Sequence, residues 1–332
     1  MKFSITAFLV GIFYLCEGSE KPRKFVIDTD AGGDDALAII LALKYEGIHN
    51  KEIEIIAITC TYGNTEEKNV ETNVLKILTT AQRSDIPVYG GAEKSLIREF
   101  KGTKFFGNDG FGDFKFEEEI TAEIHQSKYA ALALIEMVKS NPGEVSIIAL
   151  GPLTNIALAI KLDSTFIQNV DEMIIMGSSV SGVGNESPNV EFNFAADPES
   201  NFIVLNSTLK PCVLLPWETV SNREVGKDWR NNVFGKLNSS MVSFLNKAEA
   251  IGIAKLSTWS EVDAVAIAII LWPNMIKKFL ITNVTPVYDG AARGSVLVDY
   301  WNVTGKPHNA KIIQEYDLEL FKAKLLQYFS DL

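Results

Sequence analysis

The run Asp28-Thr29-Asp30-Ala31-Gly32-Gly33-Asp34-Asp35 carries four aspartates in eight residues, directly after the apolar stretch Phe25-Val26-Ile27. Carboxylates this dense repel one another unless a cation or a set of hydroxyl donors sits among them. Asp30, Asp34 and Asp35 offer hard oxygen donors of the kind that suit Ca²⁺ or Mg²⁺. A helix N-terminus favours an acid or two through its macrodipole, but not four with two glycines between. The turn follows a strand and opens a helix, which is where α/β sheets place their ligands.

The elements that must position this turn alternate along the chain. Strand patterns lie at 25–27, 53–59, 87–89, 145–149 and 173–176, and helical periodicity at 36–46, 69–82, 128–139 and 153–161. Such alternation predicts βαβ units: an α/β fold with an open, mostly parallel sheet flanked by helices. The pattern recurs near 212–215. Beyond it the chain mixes helices at 233–251, 262–271 and 318–329 with strands at 284–288 and 296–298. Two stretches without regular pattern, 90–120 and 177–198, are long enough to be functional loops over the strand ends. No repeat or linker divides the chain.

The 332 residues carry a net charge of −11, which argues against a nucleic-acid partner but not against a single uncharged nucleoside. Met1-Lys2, the apolar run 3–15 and the small residues near Gly18 read as a secretory signal peptide, too short to span a bilayer. A secreted, extracellular protein with no membrane span is expected, with one domain over 19–332. Cys60 and Cys212 would remain, either as buried thiols or as one bridge. Sequons at Asn185, Asn206, Asn238, Asn283 and Asn302 make glycosylation an expectation.

An Asp-X-Asp opening also occurs in haloacid-dehalogenase phosphatases, but Gly32 stands where those carry Thr or Val. The string is instead similar to the opening motif of the nucleoside hydrolases, Asp-X-Asp-Pro-Gly-X-Asp-Asp-Ala, with Ala31 for the Pro. Further matches follow in chain order: Tyr62-Gly63-Asn64, Ala149-Leu150-Gly151-Pro152-Leu153-Thr154-Asn155, Ile175-Met176-Gly177, Gly184-Asn185, Glu191-Phe192-Asn193 with Asp197-Pro198, and Val262-Asp263-Ala264. The resemblance spans the whole chain after the signal segment.

It implies a Ca²⁺-dependent ribonucleoside N-glycosidase. Asp30, Asp35, Asp263 and the main-chain carbonyl of Leu150 would hold the ion. Asp34 would be the general base that activates the metal-bound water for attack on C1′. Asn64, Asn185, Glu191 and Asn193 would contact the ribose above Met176. The transition state would be oxocarbenium-like. Where the inosine–uridine-preferring branch has a His before its last metal Asp, this chain has Val262. The expected substrates are therefore purine nucleosides such as inosine, guanosine or adenosine, with Phe106 and Trp259 stacking on the base and Phe105, Phe111 and Tyr62 behind them. Alternatives are a non-specific inosine/uridine hydrolase, an inactive nucleoside or calcium binder, and a Mg²⁺ phosphohydrolase, which would need a phosphate cradle not seen at the first helix. The resemblance also implies a homodimer or homotetramer.

Overall fold

The computed structural model describes residues 21–330 apart from 224; the expected signal segment lies outside the described residues. Eight strands form the main sheet: β1 (Arg23–Thr29), β2 (Ile53–Cys60), β3 (Val88–Tyr89), β4 (Val145–Ala149), β5 (Val170–Met176), β6 (Cys212–Leu215), β7 (Ile276–Thr282) and β8 (Ala310–Tyr316). Their order is β3-β2-β1-β4-β5-β6-β8-β7, parallel throughout except for the antiparallel β8–β7 edge. The central strands are covered on both faces, so they read as unbroken apolar runs rather than alternating ones. Helices bury one hydrophobic cluster against each face.

The strand order reverses between β1 and β4. At that switch point the aspartate turn leaves β1 and Leu150 leaves β4, side by side at the carboxyl edge of the sheet. Asp28, the last acid still within β1, is part of the scaffold. Its Oδ1 accepts from Thr59 Oγ1 at 2.5 Å and from Asn155 Nδ2 at 2.8 Å, tying β1 to β2 and to the helix Thr154–Leu162 that follows β4. The helix Val262–Leu271 is apolar all round and almost wholly buried, as a helix in a core must be. It packs on the helix Gly33–Ile48, and this contact brings Asp263 to the aspartate turn.

Four local features depart from the sequence pattern. β7 and β8 complete the main sheet, although the C-terminal part shows no strand signal there. β7 is a half-exposed edge strand with lysines, and the polar side chains of β8 interrupt its apolar run. The continuous helix expected over 233–251 is broken into the turn Phe234–Lys236 and the helices Ser240–Ala248 and Ala250–Lys255. Ala31, in the place of the motif's proline, takes φ 38°, a region closed to a proline ring. At the Asn283 sequon the side chain is buried and its amide already donates to the Pro307 carbonyl at 2.8 Å. Cys60 and Cys212 are both free and buried, on strands separated by three others. Among the described residues no helix is long and apolar enough to cross a membrane.

Candidate active site

Carboxylate oxygens of Asp34, Asp35 and Asp263 lie within 4.8 Å of one another. Asp35 is held rigidly: its Oδ1 accepts from Thr29 Oγ1 at 2.5 Å and its Oδ2 from the Gly32 N–H at 2.8 Å. Asp30 borders this group and accepts from the Asn64 N–H at 2.7 Å. Gly63 and Gly151 press against it so closely that a Cβ on Gly63 would lie 2.7 Å from its Cγ. Burial, followed by the charges of Asp35 and Asp34, holds the Asp30 carboxyl well above its ordinary range. Asp263 is raised well above its range in the same way, by burial and then by Asp35, Asp34 and Asp30. Burial and the Asp35 charge also raise Asp34, and burial lifts Asp35 to about 6 against its hydrogen bonds.

Asp263 Oδ1 is buried and has no hydrogen-bond partner. An orphaned carboxylate oxygen among three other acids, with no His or Cys nearby in the cluster, fits a hard divalent cation. The Leu150 carbonyl accepts from Asn193 Nδ2 at 2.7 Å, and its second lone pair is still available to such an ion.

Above the cluster opens a cavity of about 340 Å³. Asp30, Asp34, Asp263 and Leu150 line it at the bottom. Asn64, Asn185, Glu191 and Asn193 contribute polar side chains to its lining, beside the apolar Met176. Of the expected metal and ribose residues Asp35 alone does not line it, being wholly buried. The polar side is braced by its own hydrogen bonds. Glu191 caps the short helix Phe192–Ala196 by accepting from the N–H groups of Asn193 and Phe194, and also from that of Ser178. Burial nonetheless lifts its carboxyl to about 7. Asn185 Oδ1 accepts from the Phe192 N–H at 2.8 Å, which fixes the exposed loop end over the cavity.

A family model described as inosine-uridine preferring nucleoside hydrolase matches residues 25–323. The chain belongs to that family. Among curated relatives, the "Probable uridine nucleosidase 2" of Arabidopsis thaliana is 37% identical over 185 residues, 55% of this chain and 55% of the relative, so the match spans about half of each. A pyrimidine-specific ribonucleoside hydrolase of Escherichia coli is 28% identical over 90% of this chain and 94% of its own. A solved inosine-guanosine nucleoside hydrolase superposes with a TM-score of 0.83 at 30% identity, covering 92% of this chain and 98% of that one.

One end of the cavity carries aromatic side chains. Phe106 lines it and packs on Gly33 and Gly252, where a Cβ would come within 2.9 Å and 2.7 Å of its ring. Phe105 meets it edge-on at 4.8 Å. Trp259 also lines the cavity but is only 1% exposed. It is held by Phe234 and Trp229 and donates its N–H to Glu249, so it acts as a fixed wall. Phe111 and Tyr62 do not reach the cavity. Phe111 packs with Phe114 and Phe244, and Tyr62 binds the Ala196 carbonyl. None of the three histidines lines it, and Val262 does.

Sequence reasoning missed Trp217, Glu249 and Glu261, all of which line this end. Glu261 stands two residues before Asp263 and was within reach of the motif. Glu249 gave no local signal, because only the helix break at that residue turns it inward.

Proposed function

We propose that this protein is a Ca²⁺-dependent nucleoside N-ribohydrolase acting on purine nucleosides. The observation that carries the reading is the lining of the cavity: seven of its residues are Asp or Glu and none is Lys, Arg or His. Such a surface repels phosphate, which disfavours nucleotides and phosphomonoesters and favours an uncharged nucleoside. When bound, the cation would acidify a water and anchor sugar hydroxyls.

The remaining work falls to this chain's side chains. Asn64, Asn185, Glu191 and Asn193 orient the ribose. Asp34, the most accessible of the four clustered acids, takes the proton from the attacking water. The surrounding carboxylates stabilise the positive charge that grows on the ribosyl ring as the bond to the base breaks. No histidine is available to protonate the departing base. A purine, whose N7 can accept a proton from water, depends least on one, and the aromatic walls suit a two-ring base.

A second assignment of the base rests on one observation. Asp34 belongs to the tight trio with Asp35 and Asp263 while Asp30 does not. That favours Asp34 as a ligand and Asp30 as the base. Calcium titration and turnover of Asp34→Asn and Asp30→Asn separate the two. The base variant keeps calcium and loses at least about 10²-fold in kcat; the ligand variant loses both. Wild-type protein that binds calcium yet releases no base from any nucleoside would leave a binder, not an enzyme. The signal pattern in 1–18 extends the reading to an extracellular enzyme, for which protein recovered from the medium should begin near Ser19.

A further inference from the structure

We propose that Glu249 is the specificity-determining residue at the base end of the cavity, selecting with Glu261 the 6-oxopurines, whose N1–H is a donor. The inference rests on the ribohydrolase reading and narrows its substrate class. Glu249 sits at the junction of the helices Ser240–Ala248 and Ala250–Lys255 and is 1% exposed. Its Oε2 is fully engaged, accepting from Arg230 Nε at 3.0 Å and from Trp259 Nε1 at 2.9 Å. Its Oε1 has no partner, and neither has Oε2 of Glu261. Both residues line the cavity.

The carboxylate cannot turn away to satisfy itself. Arg230 is held from behind by Asn246 Oδ1 at 2.7 Å and lies over the rings of Phe234 and Trp259 at 5.2 and 5.4 Å. Burying an acceptor with no donor is unfavourable; the one neighbouring donor also left without a partner, Arg230 Nη2, does not line the cavity, and no cationic side chain does. A donor that meets Glu249 Oε1 and Glu261 Oε2 from inside the cavity would come with the ligand. Hypoxanthine and guanine present N1–H on the ring remote from the sugar, and guanine adds its 2-amino group. Adenine presents a lone pair at N1 instead, which meets a carboxylate unfavourably. A pyrimidine carries its N3–H on the ring joined to the ribose, closer to C1′. A site built around a buried acceptor rejects a substrate without the matching donor far more strongly than an apolar pocket rejects a change in size.

The test is kcat/KM with calcium present for inosine, guanosine, adenosine, 1-methylinosine and 4-nitrophenyl riboside, which has no base. For the wild type, 1-methylinosine and adenosine should each fall at least about tenfold below inosine. In Glu249→Gln the inosine-to-adenosine ratio should collapse by about the same factor. If that variant fails to fold because Arg230 loses its partner, Glu261→Gln, which leaves the ion pair intact, and the methylated substrate on wild-type protein carry the test. Equal hydrolysis of inosine and 1-methylinosine would overturn the proposal. Failure to cleave 4-nitrophenyl riboside or any nucleoside would instead overturn the ribohydrolase reading beneath it.

Discussion

Removing divalent cations should lower the melting temperature of this protein by about 5 °C. The fold brings oxygens of Asp34, Asp35 and Asp263 within 4.8 Å and seals Asp263 Oδ1 without a partner. Burial and mutual charge push Asp30, Asp34 and Asp263 well above the ordinary carboxylate range, so the cluster opposes folding when nothing neutralises it. A cation present at a hundred times its dissociation constant adds about 2.7 kcal/mol of stability, because the unfolded chain holds no such cluster. A domain of this size shifts by about 2 °C per kcal/mol, which gives the figure above. The assay is a thermal melt in chelator against about 1 mM calcium, a concentration that fills even sites of modest affinity. Asp263→Asn should abolish the difference between the two melts. Coincident wild-type curves, with removal of the metal verified by elemental analysis, would refute the reasoning.

Two further outcomes follow from the same geometry. Ala31 holds a left-handed conformation, and its N–H donates to Thr29 Oγ1 at 3.0 Å. Ala31→Gly should therefore stabilise by about 1 kcal/mol, whereas Ala31→Pro, which restores the motif's residue, should destabilise by at least about 1 kcal/mol; urea denaturation reads both, and a proline variant as stable as the wild type would contradict the backbone seen here. Burial raises the Glu191 carboxyl from 4.5 to about 7, so the protonated form favours the fold. Its contribution is full below about pH 4.5 and is lost as the pH rises through about 7. Between pH 5 and pH 8 the wild type should lose about 2.5 kcal/mol relative to Glu191→Gln, and parallel pH profiles for the two proteins would count against the assignment.

Much of the site was legible because its parts are local. Asp30, Asp34 and Asp35 share one turn, and a β-strand entering a helix leaves that turn a single place to go, the carboxyl edge of the sheet. Asn64 and Leu150 follow strand ends and Met176 ends one, so the parallel alternation of strands and helices already gathered them. Val262–Leu271 matched its expected bounds, since an unbroken apolar run has few other ways to bury itself.

Other features depended on contacts between segments far apart in the chain. β7 and β8 entered the main sheet through pairing across residues with no continuous apolar signature. Phe106 and Phe111 are near neighbours of one type, yet one lines the cavity and the other fills the core, because Gly33 and Gly252 leave room for only the first. Glu249 falls within the stretch expected as one helix, and it is the break there that sets it against Arg230 and Trp259. The sequence by itself determined the kind of fold and the acidic end of the candidate site, where local spacing along the chain brings the carboxylates together. Only the tertiary structure decided the aromatic end, because which side chains are buried together there depends on packing between segments that the order of residues does not place side by side.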